Sequence, residues 1–467
     1  MQTSTITKMA LGIGAVLLAP LALPASVASA APPVSVPCAG PTGGPAGLII
    51  AISNANSGGG GTINLGACTY NFSGANNSSM AGANALPLIT SPITINGYSS
   101  ATLAGNSTTF RIFQVNVPHG NLTLNGVTIT GGSSSAGGGI FNDQATLTLN
   151  DSVVKGNTAA MGGGGIASGN PSAIPVGTTG TTTIENNSQV NDNSAPTGGG
   201  GGILNRSGTL SVISSEVNGN TSANGGGIAS GNGNGGAPGA SSTLVVTNSN
   251  VDHNVATSGI GGPAAGGIAN GGLATITNSD VNSNVGTGGI GGGIFNHGTM
   301  TVTTTDVDGN SAPSDTSGDL GYGGGIGNGN VGVPGSGVLT VNISNVLGNS
   351  ASGGGGGIAN GALGTVNLNG TIVIGNTAPL GGGIANQGTL NDLNSPVRNN
   401  NATTGGGIAN QAALNLTGAV ITGNVASMDG GGIANEGGTV TLTKYNTIAR
   451  NSPDNCIPLG SILGCVG

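Results

Sequence analysis

The sequence has very little charge and almost no aromatic surface. Its 467 residues include only 7 Lys+Arg and 15 Asp+Glu, 5 Phe, 4 Tyr and no Trp. Charged residues make up 5% of the chain, against about 25% in ordinary soluble domains, which excludes a standard globular enzyme domain. The 97 glycines come in runs and not on a three-residue period, so collagen is excluded. A hydrophobic content of 36% and a mean hydropathy of +0.17 also exclude glycine-rich disorder.

The first 30 residues have the features of an export signal. Lys8 precedes an apolar run from 9 to 23, and the small residues 28–30 form a cleavage pattern. An uncleaved membrane anchor is the alternative, but this run is too short to cross a bilayer. We therefore predict a signal peptide over 1–30 and a secreted, extracellular or cell-wall-associated protein, with no integral membrane segment in the mature chain.

The four cysteines lie at the two ends of the mature chain. Three pairings are possible, and the terminal clustering favours Cys38–Cys68 and Cys456–Cys465, as is usual in an oxidising compartment. A metal site would need close Cys/His spacing. The sequence has no CxxC and only three histidines, so we predict neither a metal nor a cofactor.

A glycine run followed by isoleucine repeats from Ile140 to Ile433, at a base interval of 24–26 residues. Short alternating runs follow each isoleucine, such as TLTL (146–149), and a third segment ends in V/I-x-x-N. Alternation with β-branched residues indicates strands. Three short strands per repeat predict a single-stranded right-handed parallel β-helix of roughly 13–15 coils, in which successive coils lie about 4.8 Å apart.

The repeat also sets the expected domain organisation. Residues 31–130 form an N-terminal cap and the first coils, with a capping helix at 45–56 that begins at a proline. The GGGI-x-N repeats fill 131–451, and 452–467 form a C-terminal cap with a disulfide loop that closes the other end. Glycine corners provide positive φ. Repeated charges would face their own copies, which explains their scarcity.

Most isoleucines continue as Ile-x-Asn, and these asparagines are expected to form structural ladders along the helix axis. A polar binding row is the alternative. The asparagines are Asn142, Asn205, Asn270, Asn296, Asn328, Asn360, Asn386, Asn410 and Asn435.

The repeat GGGI-x-N, alternating with x-x-N-x-A, resembles that of the chlamydial polymorphic outer-membrane proteins over about 140–451. Val or Ile stands here in place of the Phe of F-x-x-N. PITINGYSSATL, FRIFQV, NLTLNGVTITGG, the GGGIAN repeats and the closing NSPDNC resemble secreted actinobacterial β-helix proteins over nearly the whole mature chain. The resemblance implies a pectate-lyase-like solenoid and an adhesin-like surface protein.

Catalytic motifs are absent from the sequence, so we assign no catalytic residue. The NTD, DD, GHG and RIK motifs of galacturonan hydrolases do not occur, and the basic residues are scattered. Glycoside hydrolysis needs two carboxylates at one bond. The best acidic group, Asp306, Asp308, Asp315 and Asp319, is a weak Ca²⁺ candidate or a solvated turn. His253 and His297 are expected on the surface.

Five insertions interrupt the repeats, at 171–180, 233–242, 257–265, 313–322 and 331–337. Same-side loops on a solenoid can form a binding face, and slack linkers are the alternative.

Three function classes remain open. The first is a non-enzymatic adhesin-like or structural rod, whose partners are glycans or host and cell-wall surface components. The second is a polysaccharide-active lyase or hydrolase. The third is an ice- or crystal-binding solenoid, indicated by Thr-x-Thr at 146–148, 299–301 and 439–441. A net charge of −8 without a basic patch argues against nucleic acid.

Overall fold

A computed structural model describes residues 32–79, 81–106, 109–169, 180–231, 242–257, 265–329, 336–460, 462 and 465. Insertions 171–180, 233–242, 257–265 and 331–337 fall mostly outside the described residues, and so does the signal segment. The chain folds into a parallel β-helix, because each strand pairs in register with the equivalent strand of the next coil. The exception among the described pairs is one antiparallel hairpin, Asn77–Ser79 with Gly82–Asn84.

Each coil contributes strands to three main faces. Face A carries the alternating segment. Its strands are Val34–Val36, Gly61–Leu65, Pro92–Gly105, Asn121–Thr130, Thr146–Asn150, Thr181–Glu185, Gly208–Ile213, Ser242–Thr247, Leu273–Thr277, Thr299–Thr303, Val338–Asn342, Thr365–Asn369, Thr389–Leu393, Ala413–Thr417 and Thr439–Thr443.

Face B carries the V/I-x-x-N segment, and the two long strands of the early coils continue from face A into it. Its other strands are Thr69–Phe72, Val153–Lys155, Gln189–Asn191, Glu216–Asn218, Asn250–Asp252, Asp306–Asp308, Asn345–Leu347, Ile372–Ile374, Pro396–Arg398, Val420–Thr422 and Thr447–Ala449.

Face C carries the Ile-x-Asn segment and is a 13-stranded sheet, in agreement with the expected coil number. Its strands are Phe113–Asn116, Ile140–Asp143, Ile166–Ser168, Ile203–Asn205, Ile228–Ser230, Ile268–Asn270, Ile294–Asn296, Ile326–Asn328, Ile358–Asn360, Ile384–Asn386, Ile408–Asn410, Ile433–Asn435 and Cys456–Ile457.

Short strands lie between faces B and C. They are Ser133–Ser134, Thr158–Ala159, Ser194–Gly199, Thr221–Asn224, Val255–Thr257, Val285–Thr287, Ser311–Ala312, Ser350–Ala351, Asn401–Thr404 and Val425–Asp429.

One hydrophobic core runs through the stack. Inward residues such as Leu147, Leu149 and Val217 are fully buried, while their neighbours Thr146 and Thr148 face outward. Because the strand period is two, the alternating sequence places every second side chain inside. Stacking of these side chains buries a core that no single coil could form.

Face C is buried on both sides, which the sequence did not predict. The residue that follows the isoleucine, for example Phe141 or Ala167, packs in a separate small cluster outside the main core. The glycine run makes this second layer possible. Gly355 has φ +65°, and a Cβ on Gly356 would lie 2.5 Å from the Gly382 carbonyl oxygen. In this run Gly355 therefore supplies the positive φ and Gly356 the close backbone approach.

The asparagines of V/I-x-x-N form a buried hydrogen-bonded ladder along the whole repeat region. Asn254 Nδ2 donates to Asn284 Oδ1 at 3.1 Å, and the Asn254 backbone N–H donates to the same oxygen at 2.9 Å. Asn284 in turn donates to Asn310 Oδ1 at 3.0 Å. The ladder thus satisfies backbone and side-chain donors at a corner that water does not reach.

The two ends of the stack differ. Helix Gly44–Ser57 covers the first coils with Leu48 and Ile52. At the other end, Cys456–Ile457 pairs with face C, while Val440 and Leu442 of the last face A strand stay partly exposed. In the part of the chain that is described, closure of this end is therefore incomplete on face A.

Candidate functional site

A line of carboxylates and carboxamides runs along the outside of face B in the middle of the stack. We call this line the acidic strip. It consists of Glu216, Asn218, Asn250, Asp252, Asp280, Asn282, Asp306 and Asp308. The central valine of each segment, such as Val251 or Val307, is fully buried, so the residues on either side of it point outward. Most of the strip is half-buried.

The strip has two parallel rows, one on each side of the buried valines. In the first row, Glu216 lies in register with Asn250, followed by Asp280 and Asp306 on successive coils. Asp280 and Asp306 are thus direct ladder neighbours, about 4.8 Å apart along the axis. Like charges placed opposite each other destabilise a sheet. The acidic strip therefore contains an unfavourable pair of stacked carboxylates, although the protein as a whole has few charged residues.

The second row alternates amides with acids. Asp252 N–H donates to Asn218 Oδ1 at 3.1 Å, and Asn282 N–H donates to Asp252 Oδ1 at 2.9 Å. Asp308 N–H donates to Asn282 Oδ1 at 2.9 Å. One oxygen of Asp252 is therefore engaged by the neighbouring coil, which fixes the orientation of its carboxylate.

Burial raises the pKa of two carboxyl groups of the strip, Asp252 and Asp280. The pKa of Asp280 is raised, mainly by burial and further by the negative charge of Asp306. The pKa of Asp252 is also raised by burial, although the Asn282 hydrogen bond and the nearby His253 oppose the shift. Raised pKa values of this kind are a property that functional sites often share.

Positive side chains are missing from this part of the chain. No Lys or Arg occurs between Arg206 and Arg398, whereas eight Asp and Glu residues do. Arg206 itself has a pKa lowered by burial. Arg111 is fully buried among Asn84, Gln114 and Ser134 near the N-terminal end. The middle of the solenoid consequently presents a negative and otherwise neutral surface.

The four acidic residues singled out from the sequence separate into two places. Asp306 and Asp308 lie on the strip, while Asp315 closes a turn by accepting from the N–H groups of Ser317 and Asp319. Within the described residues, no group of three or more His, Cys, Asp or Glu side chains could hold a metal ion.

The two histidines expected on the surface differ from each other. His253 is exposed beside Asp252, with φ 55°. His297 is only 7% exposed, so the expectation was wrong for this residue. Its register neighbours on adjacent coils are Gly271 and Gly329, and an imidazole between two glycines sinks into the corner beside Phe295.

The Ile-x-Asn series is buried and hydrogen-bonded along the axis. From Asn270 onward each amide donates to the next. The continuous members are Asn270, Asn296, Asn328, Asn360, Asn386, Asn410 and Asn435. Asn142 and Asn205 instead donate to hydroxyls of Thr182 and Ser230, because Ser occupies their register position on the neighbouring coil.

The disulfides Cys38–Cys68 and Cys456–Cys465 are both present, as expected from the clustering. The outer row of face A is mixed. Thr148, Thr183 and Thr301 share it with Val245 and Asn391, so the threonine array that ice binding would need is interrupted. No helix of the described residues is long and apolar enough to cross a membrane.

Glu216, Asp252 and Asp280 were missed as a group by the sequence analysis. The signal was present in the V-x-x-N motif itself. Aligned on the valine, EVNGN, NVDHN, DVNSN and DVDGN place acids on either side of it in four consecutive coils. The pattern is easily overlooked when only the terminal asparagine of the motif is compared between repeats.

Comparison with known proteins finds similar folds at low identity. No family model and no curated protein matches the chain. The Dettilon tailspike protein is 13% identical with a TM-score of 0.38, covering 88% of this chain and 68% of the tailspike. The A-module of the mannuronan C-5 epimerase AlgE6 of Azotobacter vinelandii is 12% identical with a TM-score of 0.36, covering 87% and 93% of the respective chains. Function must therefore be argued from this chain's own residues.

Proposed function

We propose that this protein is an extracellular polysaccharide-binding β-helix and that the acidic strip binds the sugar chain. The strip offers carboxylate and amide groups on consecutive coils at one axial spacing. A linear polymer with hydroxyl or amino groups at regular intervals can contact several of these acceptors at once. The disulfides are consistent with an oxidising, extracellular location.

The observation that carries the proposal is the Asp280–Asp306 pair. Elsewhere the outer faces consist mainly of Thr, Asn and Ser, with scattered charges such as Lys155 and Glu185. The uncharged residues avoid charge repulsion between coils. A stacked carboxylate pair that weakens the fold is a local conflict, and such conflicts are typical of functional sites. Asn345 Nδ2 already donates to Asp306 Oδ1 at 2.7 Å, and hydroxyl or ammonium groups of a ligand would contact the remaining carboxylate oxygens of the pair.

The charge of the strip defines the class of polysaccharide. Uronate or sulfate groups would be repelled, because no Lys or Arg lies between Arg206 and Arg398. Neutral polymers donate hydroxyl hydrogen bonds to carboxylates, and amino-sugar polymers add a charge attraction that salt screens. The expected ligand is therefore a neutral or amino-sugar polysaccharide.

Affinity electrophoresis of the mature protein against xylan, mannan, soluble cellulose and chitin derivatives, chitosan, alginate and polygalacturonate tests this proposal. We expect retardation by a neutral or amino-sugar polymer and none by the two uronates. The variant Asp280→Asn/Asp306→Asn should weaken binding at least about tenfold, since hydrogen bonds to charged groups contribute about 1.5–3 kcal/mol.

The matched control is Asp429→Asn/Glu436→Gln, which removes two exposed carboxylates from the C-terminal coils. This control should bind like the unmodified protein. If both double variants weakened binding equally, the effect would be explained by the change in net charge and not by the acidic strip. A preference for the uronate polymers would contradict the proposal.

A second candidate function is chemistry on the same bound polysaccharide. The register pair Asp280 and Asp306 favours it, because glycoside hydrolysis uses two carboxyl groups at one bond. Reducing ends, unsaturated sugars and ring-proton NMR spectra, followed on the same polymer panel, test for activity. Product formation that Asp280→Asn abolishes would support an enzyme, whereas binding without any product supports a non-enzymatic adhesin-like rod.

A further inference from the structure

A polar groove lies at the N-terminal end of face A, and no Asp, Glu, Lys or Arg is among its described lining residues. It has a volume of about 610 Å³, which is within the usual range for small-molecule sites. We propose that this groove binds a neutral sugar unit. The inference rests on the proposed polysaccharide binding and adds a second subsite to it, separate from the acidic strip.

The walls of the groove are held in place by Asn56 at the end of the helix. Asn56 Oδ1 accepts from the Thr90 N–H at 3.0 Å and from the Ser91 hydroxyl at 3.2 Å. Its Nδ2 donates to the Leu88 carbonyl at 2.7 Å. These contacts join the helix to the loop before the strand at Pro92, so the groove is formed before any ligand arrives.

The floor is built from equivalent positions of three successive coils. Pro92 pairs with Asn121, and Asn121 pairs with Thr146, so equivalent residues of three coils form the floor of the groove. His119, from the loop that precedes Asn121, stands at the side and is exposed. The groove thus has a repeat along the solenoid axis, as a chain-like ligand requires.

Several polar groups in the groove are unused. Among the described residues, the side chains of Thr90, His119, Asn121 and Thr146 make no hydrogen bond to another protein group. All four are at least partly exposed. Hydroxyl and amide groups each provide a donor and an acceptor, and the imidazole adds two ring nitrogens that can form hydrogen bonds. This combination suits a ligand whose hydroxyls both donate and accept.

The lining also determines the charge and shape of the ligand. His119 is the only ionisable group that lines the described groove, and the rings of two prolines provide apolar surface beside the polar groups. No Asp, Glu, Lys or Arg among the described lining residues offers an ionic ligand a permanent counter-charge. A neutral pyranose, with hydroxyls at its edge and C–H groups on its face, matches this combination. The absence of a carboxylate pair in the lining makes the groove a binding site and not a hydrolytic one.

The three histidines of the chain provide the test. The mature protein, labelled with ¹³C and ¹⁵N at histidine, is titrated with cello-, xylo-, manno- and chito-oligosaccharides at millimolar concentration. His119 reports on the groove, His253 on the acidic strip, and buried His297 on the integrity of the fold. We expect one oligosaccharide series to shift the His119 resonances saturably while those of His297 stay fixed.

Variants locate the effect. Asn121→Ala/Thr146→Ala should raise the dissociation constant measured at His119 about tenfold. Thr148→Ala, two residues further along face A, is the matched control and should leave it unchanged. A His119 shift that the double variant does not weaken would overturn the assignment to the groove, as would the absence of any His119 shift.

The same titration can rule out either binding site without ruling out the other. A shift of His253 without one of His119 would remove the groove and leave the proposed function intact. A shift of His119 alone would support the groove and contradict binding at the acidic strip.

Discussion

A carboxyl group inside the core makes the stability of this β-helix depend on pH. Asp392 occupies an inward position of face A, in register with Leu368 and Leu416. It is 2% exposed. One oxygen accepts from the Ser395 N–H at 2.9 Å, and the other has no partner among the described residues. We predict that Asp392→Leu stabilises the protein at neutral and alkaline pH.

The magnitude follows from the pKa of this group. Burial raises the pKa of Asp392 from 3.8 to about 7. The folded state therefore holds a proton that the unfolded chain has already lost, so stability is greatest below about pH 4 and falls until about pH 7. At 1.36 kcal/mol per pKa unit, the total loss is about 4 kcal/mol. Leucine would remove this loss and match its neighbours in the column.

Denaturant unfolding from pH 4 to pH 8 measures the effect. The midpoint of the unmodified protein should decrease across this range relative to Asp392→Leu, and Asp392→Asn should share the reduced pH dependence because it cannot ionise. A constant difference between the unmodified protein and Asp392→Leu at every pH would refute the argument.

Two further predictions concern the repeat itself. Gly356→Ala should destabilise the protein by several kcal/mol, because the new Cβ would lie 2.5 Å from the Gly382 carbonyl oxygen. Gly370 has φ +61° and no atom within 4 Å of the position of a Cβ, so Gly370→Ala should cost only about 1–2 kcal/mol of stability. Similar losses in thermal midpoint for both variants would contradict the steric argument. Asn284→Ala removes the oxygen that accepts from both Asn254 donors. The variant should lose about 1–3 kcal/mol of stability for each buried donor left unpaired. Amide hydrogen exchange should then accelerate at Asn254, and unchanged exchange there would contradict the ladder model.

The sequence allowed the fold to be predicted because each coil repeats the same physical constraints. Alternation gave the strands of face A, and the proline-started apolar segment gave the helix, which the structure has at Gly44–Ser57. The double burial of face C could not be predicted, because Ala167 or Phe141 on an outer strand position looks like an exposed residue. The structure is needed to see that the closely packed backbone of the glycine run allows these side chains to be covered.

The candidate site was harder to predict than the fold. Asp306 and Asp308 were singled out, but they were grouped with Asp315 and Asp319, which belong to a turn. These four residues are close in the sequence, whereas a solenoid brings together residues that are one coil apart. Asp280, which is 26 residues before Asp306, is for this reason its direct neighbour. The N-terminal groove depends on three coils and the end of the helix, so no local motif marks it.

Photo-crosslinking locates the bound polysaccharide most directly. A diazirine-bearing oligosaccharide of the series that binds is irradiated with the mature protein, and the modified peptides are identified by mass spectrometry. Binding at the acidic strip predicts crosslinks on the face B segments between Glu216 and Asn345, with loss of these crosslinks in Asp280→Asn/Asp306→Asn. Crosslinks confined to other faces, or unchanged in that variant, would contradict the proposed function.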